Sequence, residues 1–257
     1  MRLSRLTGVS LALFVSAACF QGQRTFKVNA DGSGTIVDTA KLGASAQGML
    51  AGLEGMDQTP AAEKKAKKAA KFAATAAAMG AGVTFISSEP GKDGVEVTTY
   101  AFKDITKIKV AGMPSPNEGT TSKDEPMTFR LARNAAGNTV LTIISRKEGT
   151  ASAKETATPK SPEDIQREVT MIKGMMAGLK IKSVVEVNGT LVKASGAPAS
   201  GSVVTLMEMD FDALDAAALQ KLASAPSGGP PTPAMVKGIK GITVSDPEVT
   251  IEFKAVK

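Results

Sequence analysis

Glu208, Asp210 and Asp212 are the carboxylates whose spacing most invites chemistry. Acids two apart at the end of a strand lie on one face. Such a pair can flank a glycosidic bond or hold a divalent ion. The plainer reading, which is preferred, has Asp210 capping a following helix and Glu208 facing solvent. Ser122-Lys123 and Ser145-Arg146-Lys147 place a hydroxyl beside an amine. A Ser-Lys nucleophile needs a buried amine with a lowered pKa, and both stretches lie in or beside polar loops, so they read as solvated. The 257 residues include no His, no Trp and one Cys. This excludes Ser-His-Asp and Cys-His catalysis, His-ligated metals, an internal disulfide and four-cysteine clusters. No P-loop or GxGxxG pattern is present. The expectation is a non-catalytic chain with no metal site and no cofactor.

Two further residue sets carry a binding reading. Lys64, Lys65, Lys67, Lys68 and Lys71 form one stripe of an Ala/Lys-rich segment. They are candidates for contact with an anionic surface, where each lysine contributes about 1 kcal/mol; the alternative is a solvated helix face. Phe72 and Met79 fall within the lysine arc, which is odd for a face seen only by water. The 12 methionines include Met49, Met56, Met171, Met175, Met176, Met207 and Met209 on expected inner faces. Methionine fills irregular gaps and adapts to varied apolar ligands, though core packing is the default.

The single cysteine lies at a boundary. Arg2 and Arg5 precede an apolar run, Leu6 to Ala18, that ends in Ser16-Ala17-Ala18-Cys19. Thirteen residues are too few for a spanning helix, which needs about 20. A basic start, a short apolar run and small residues at its end mark a secretory signal. The end of the run resembles the bacterial lipobox, in which the cysteine is acylated and becomes the mature N-terminus. Ser16 stands where that motif usually has Leu, Val or Ala, and ordinary cleavage after Ala18 would leave Cys19 unlipidated. The reading adopted is a lipoprotein signal peptide over 1–18, Cys19 as the lipidation site and a tether over 19–23. The protein is then exported and held at a membrane through acylated Cys19, facing the periplasm or the cell exterior. Phe20 in place of Asp lacks one inner-membrane retention signal, which points to the outer membrane in a cell that has two. Losing 1–18 removes two arginines and no acid from a formal charge of +6. So weak a basic balance, with aromatics at 4%, gives no reason to expect nucleic acid as a partner.

The elements that would position these residues follow from periodicity. Arg24–Ala30 and Gly34–Thr39 alternate on either side of Asp31-Gly32-Ser33-Gly34, which predicts a hairpin rather than a calcium loop. A weak helix over 41–56 precedes a strong one over 61–79, in which Ala62, Ala66, Ala69, Ala70, Ala73 and Ala77 form the face expected to lie against a sheet or another helix. Strands are expected over 83–87, 95–102, 107–110, 127–133 and 139–145. Ser161-Pro162-Glu163-Asp164 starts an amphipathic helix carrying Ile165, Val169, Ile172, Met176 and Leu179. A hairpin through Asn188-Gly189, a strand over 203–209, a helix over 211–222 begun by Asp210, a short helix over 234–237 and strands over 242–244 and 248–256 complete the chain. Mobile loops are expected near 111–126, 146–160 and 223–233. Helices come in blocks rather than alternating with strands. The expected fold is therefore α+β: one domain over 24–257 with a twisted antiparallel sheet and several helices packed on it.

The segments KVNADGSG, YAFKDITKIKV, GLKIKSVVEVNGTLVKAS and VVTLMEMDFDAL, behind a Cys-Phe start, resemble a group of exported bacterial lipoproteins of undetermined function. More distantly they resemble the LppM-like lipoproteins of mycobacteria. The resemblance implies a lipoprotein with an α+β domain and a lipid or other amphiphile as ligand, and it transfers no catalytic residue. The alternative is a scaffold that binds another envelope protein through sheet edges or loops. Cells grown in labelled palmitate are expected to label this protein; absence of label, or label that survives Cys19→Ala, overturns the lipidation reading.

Overall fold

The computed structural model describes residues 20–43, 47–48, 52, 56, 58–110, 126–145, 161–224, 236 and 238–256. Cys19 and the leader lie outside these residues, as do most of the expected helices over 41–56 and 234–237 and most of the three expected loops.

The chain forms an α+β fold with twisted sheets. The first is eight-stranded. It contains β1 (Gln21–Val28), β2 (Gly34–Lys41), β3 (Val83–Pro90), β4 (Val95–Phe102), β7 (Lys180–Val187), β10 (Val203–Asp210) and β11 (Ile242–Val244). Their order is β11-β10-β7-β1-β2-β4-β3, and the two-residue β9 (Ala199–Ser200) pairs with β10. The second sheet has the order β5-β6-β12-β8. Its strands are β5 (Thr128–Arg133), β6 (Thr139–Ile144), β8 (Gly189–Ser195) and β12 (Glu248–Ala255). Every pairing is antiparallel except β1 with β7, so the first sheet is mixed. The helices are α1 (Ala61–Ala78), α2 (Pro162–Met176) and α3 (Ala216–Ala223).

The Asp-Gly hairpin forms as expected. Asn29 N–H donates to the Ser33 carbonyl at 2.8 Å, Asp31 Oδ1 accepts from Ser33 N at 2.9 Å, and Gly32 takes φ +87°. At the outer ends the strands extend beyond the expected hairpin, by three residues in β1 and by two in β2. Gln21 to Gln23, expected as part of a tether, are strand residues, and Phe20 is buried with its carbonyl accepting from Lys180 N at 3.0 Å. The tether reading assumed that a polar start stays solvated, but β2 and β7 both supply ladder partners up to Gln21.

The Asn-Gly hairpin does not form. Asn188 and Gly189 carry the chain from β7 in the first sheet to β8 in the second. Asn188 N–H donates to the Val28 carbonyl at 2.8 Å, which ties the crossing to the end of β1. A Cβ at Gly189 would collide with the Lys254 carbonyl, so the glycine serves close strand approach rather than a tight turn. Residues 107–110, expected as a strand, contribute the end of a 3₁₀ turn over Ile105–Lys107 and two isolated bridges. The expected helix over 211–222 is also divided. Asp210 caps a 3₁₀ turn, Phe211–Ala213, and Asp215 caps α3 by accepting from Ala218 N at 2.8 Å. Ser161 caps α2 as expected, accepting from Asp164 N at 3.1 Å.

The two sheets share one core. Phe26, Val28 and Ile36 meet Phe129, Leu141, Ile251 and Phe253, and the rings of Phe26 and Phe129 lie 5.7 Å apart. Each such side chain contributes about 1.5–3 kcal/mol by leaving water. A second cluster of Ala218, Val236, Ile239 and Ile242 packs α3 at the β10–β11 edge. Within the core face of the first sheet runs one polar row: Ser183, Arg24, Asp38, Thr98 and Ser88 are register neighbours. Arg24 is 2% exposed and grips Asp38 with two bonds, Nε to Oδ1 at 2.8 Å and Nη2 to Oδ2 at 2.7 Å. Ser183 Oγ is buried and finds no hydrogen-bond partner among the described residues.

Removing one partner strands a buried charge. In urea titrations Asp38→Asn and Arg24→Met should each cost about 3–5 kcal/mol, while Arg24→Met combined with Asp38→Leu should cost less than their sum. Ser183→Ala should be neutral or stabilising, because it deletes a buried hydroxyl with no partner.

Candidate functional site

The two faces of the first sheet differ. Arg24, Phe26 and Val28 point to the core, so Gln21 and Gln23 point the other way. On that outer face two register rows cross the sheet. One is Asp210, Lys180, Gln21, Lys41 and Val95; the next is Glu208, Lys182, Gln23, Thr39 and Val97. Residues of these rows line an open groove of about 270 Å³. Its wall is a ladder of cross-strand ion pairs, Lys180 Nζ to Asp210 Oδ2 at 2.9 Å and Lys182 Nζ to Glu208 Oε2 at 3.1 Å. The Gln21 and Gln23 side chains form its middle, with Lys41 and Val95 opposite.

The ladder pairs the three carboxylates singled out in the sequence with lysines. The hydrogen bond from Lys180 holds Asp210 below the ordinary aspartate range, against the opposing effect of burial. The same bond raises Lys180. A glycosidic general acid needs its pKa raised, so this pairing works against that role. Asp212 lies 3.8 Å from Lys180 and accepts from Gly178 N at 2.8 Å. Among the described residues no group of three or more acids or cysteines could hold a metal ion. Ser145 Oγ donates to the Pro247 carbonyl at 3.2 Å; its neighbours Arg146 and Lys147, and the pair Ser122-Lys123, lie outside the described residues.

Helix α1 packs by the face opposite to the one expected. Ala62, Ala66, Ala69, Ala70, Ala73 and Ala77 are exposed, whereas Thr75, Ala76 and Met79 are buried and Phe72 is half-buried. Phe72 stacks on Phe85 with centroids 5.2 Å apart, and Phe85 meets Tyr100 at 6.0 Å. The reason is area: a phenyl ring and a methionine remove far more apolar surface from water than alanine methyls do. The oddity of Phe72 and Met79 within the lysine arc was thus the signal for the true packing face. Burial pushes the Tyr100 hydroxyl far up, with Asp38 adding to the effect.

The lysine stripe is therefore divided. Lys68 lies against the sheet, with Nζ 2.6 Å from Glu96 Oε1 and 5.8 Å from the Phe72 centroid. Lys67 pairs with Glu63 at 2.9 Å. Lys64 is half-buried, and Lys65 and Lys71 are exposed. The methionines are redistributed too: Met79 and Met127 are buried, while Met56 and Met171 are exposed. Met207, Met209 and Met176 are half-buried; Met49 and the Met175 side chain lie outside the described residues. Among the described residues no helix is long and apolar enough to cross a membrane.

No family model and no curated protein matches the sequence. Among solved structures, the NMR structure of the folded domain of LppM from Mycobacterium tuberculosis aligns over 99% of this chain and 97% of that one. The identity is 9% and the TM-score 0.32, a distant likeness of fold that gives no residue here a role.

Burial raises the Glu96 pKa, but hydrogen bonds from Lys68 and Ser88 and the charges of Lys68 and Lys71 outweigh it, so the carboxyl sits below its ordinary range. A group lowered on folding stabilises above its unfolded pKa, about 4.3 for Glu, and loses that contribution as pH falls through the folded value. Thermal unfolding followed from neutral into acid should therefore show a shallower acid limb in Glu96→Gln than in the parent.

Proposed function

We propose that this protein is an exported lipoprotein, anchored through acylated Cys19, whose α+β domain binds the polar part of a lipid or other amphiphile without catalysing a reaction. The observation that supports this most is the outer groove, whose first lining residue, Gln21, is two positions after Cys19. Its wall and floor offer ammonium donors, carboxylate acceptors and amides that do both, the set a hydrated headgroup can satisfy. The ligand's apolar part need not enter the protein, because the groove is open. The reading puts the domain outside the cytoplasm, at a membrane surface.

Strand β8 favours a second reading, a scaffold for another envelope protein. Among the described strands it pairs only with β12, and its Val192 is 48% exposed, so its outer edge offers a ladder to a partner strand. Native mass spectrometry of the full lipoprotein, released in mild detergent, is expected to show a co-purifying amphiphile that is diminished in Gln23→Leu. Consistently ligand-free protein overturns the headgroup reading. A stoichiometric protein cross-linked in cells through a photoreactive residue at position 192 would support the scaffold instead.

A further inference from the structure

We infer that the domain rests directly on the bilayer, with the Gln21 end of the first sheet and the start of α1 as its membrane-facing surface. This rests on the anchoring reading above and adds to it an orientation and a contact surface.

The first observation is the length of chain available. Phe20 is buried and hydrogen-bonded to the start of β7, and β1 begins at Gln21. Nothing remains of a tether between Cys19 and the folded domain. Two residues span at most about 7 Å, less than the Debye length of about 8 Å at physiological ionic strength. A domain held that close has little choice of orientation. The end row of the sheet, Asp210, Lys180, Gln21, Lys41 and Val95, must be the part nearest the acylated cysteine.

The second observation is independent of the first. Helix α1 runs alongside the strands with its N-terminal end at this same rim. Lys68 meets Glu96, whose register partner Ala40 is one residue from the end of β2. One turn later Phe72 stacks at the level of Phe85 and Tyr100. At the far end the Met79 carbonyl accepts from Lys109 N at 2.6 Å, and Ile105 N–H donates to the Gly32 carbonyl of the β1–β2 turn. Lys64 and Lys65 lie a turn before Lys68 and so project toward or past the rim, on the core-face side of the sheet, whereas Lys41 marks the same rim on the outer face.

The charge balance of the rim suits anionic headgroups. Asp210 and Asp212 face Lys180, Glu96 faces Lys68 and Glu63 faces Lys67. Glu89, Lys92 and Asp93 lie at the β3–β4 corner with one net negative charge, so the basic side of the rim is the one formed by β2 and α1. The second sheet packs toward the opposite end, where Thr139 Oγ1 bonds the Ala30 carbonyl and Asn188 bonds Asn29, which keeps it away from the bilayer.

Lysine acylation read by mass spectrometry tests this. The full lipoprotein is placed in vesicles of phosphatidylcholine containing phosphatidylglycerol, and the mature chain is separately coupled through its sole thiol to a maleimide lipid in the same vesicles. In both, Lys41, Lys64 and Lys65 should react several-fold more slowly than in detergent-free Cys19→Ala protein, and Lys103 and Lys109 at the opposite end should be unchanged. The combined Lys41→Gln, Lys64→Gln, Lys65→Gln variant should lose the dependence of vesicle contact on phosphatidylglycerol. Protection of Lys103 and Lys109, or equal reactivity at the two ends, overturns the proposal. The mass of the N-terminal peptide from cells reads acylation separately. An unmodified Cys19 would sink the anchoring reading, and the maleimide-coupled protein would still decide the orientation.

Discussion

Strand β1 is hydrogen-bonded along its whole length on both sides, antiparallel to β2 and parallel to β7. Everything else in the first sheet inherits its register. Side chains alternate across a strand, so one residue of slippage would exchange its faces. Arg24 would leave the core and lose Asp38, and Gln23 would be buried in its place. The bidentate Arg24–Asp38 pair discriminates between the two registers because only one of them places opposite charges directly across the ladder. A buried ion pair is weak evidence for net stability. Its contribution here is best read as specificity: it penalises every misaligned pairing of the central strands.

The same alternation makes the two faces complementary in role. The inner face takes Phe26, Val28 and Ile36 into a core shared with the second sheet, and the outer face takes Gln21, Gln23 and Thr39 into the groove. Charge on the outer face is largely matched within the sheet, since Lys180 meets Asp210 and Lys182 meets Glu208 as direct cross-strand neighbours. Such a surface offers donors and acceptors in alternation with little net field. The net positive potential is carried instead by α1, whose lysines outnumber its single acid, Glu63. On the proposed reading, polar recognition and electrostatic attraction thus belong to different elements that meet at one rim.

Local chemistry was legible wherever a short segment determines its own conformation. Asp31-Gly32 makes its turn and Ser161-Pro162 starts its helix because the deciding hydrogen bonds are made within five residues. Long-range choices were not legible. Asn188-Gly189 has the composition of a hairpin turn, but the partner of β8 is β12, more than fifty residues on, and no local signal encodes that. Counting alanines misplaces the packing face of α1, because Phe72 and Met79 carry the larger area. The α+β class survived these errors because it depends on the blockwise order of helices and strands, which a wrong partner or a rotated helix leaves intact. Of the site residues, the lysines were found as a stripe, and their division between a sheet contact at Lys68 and exposed Lys65 required Glu96 to be placed in space. Nothing local marks Gln21 and Gln23 as groove residues. Read as a tether, they became groove residues only once β1 was extended to Gln21.

On the proposed anchoring at Cys19, the start of β1 at Gln21 constrains what a groove at this position can do. A domain on a long flexible linker samples ligands in the surrounding volume, whereas one whose first strand starts two residues after its anchor meets chiefly what diffuses in the same leaflet. A lipid arriving laterally keeps its acyl chains in the bilayer, so the protein need supply only polar contacts at the level of the headgroup. An enclosed apolar cavity would be superfluous for such a ligand. Among the described residues the core fits this economy: Phe26, Ile36, Leu141, Ile251 and Phe253 are all fully buried against one another, and an open groove lined by Gln21, Gln23, Lys180 and Lys182 lies at the rim. On the proposed anchoring, recognition of a headgroup and attachment to the membrane are consequences of the same short stretch of chain, from Cys19 to Gln23.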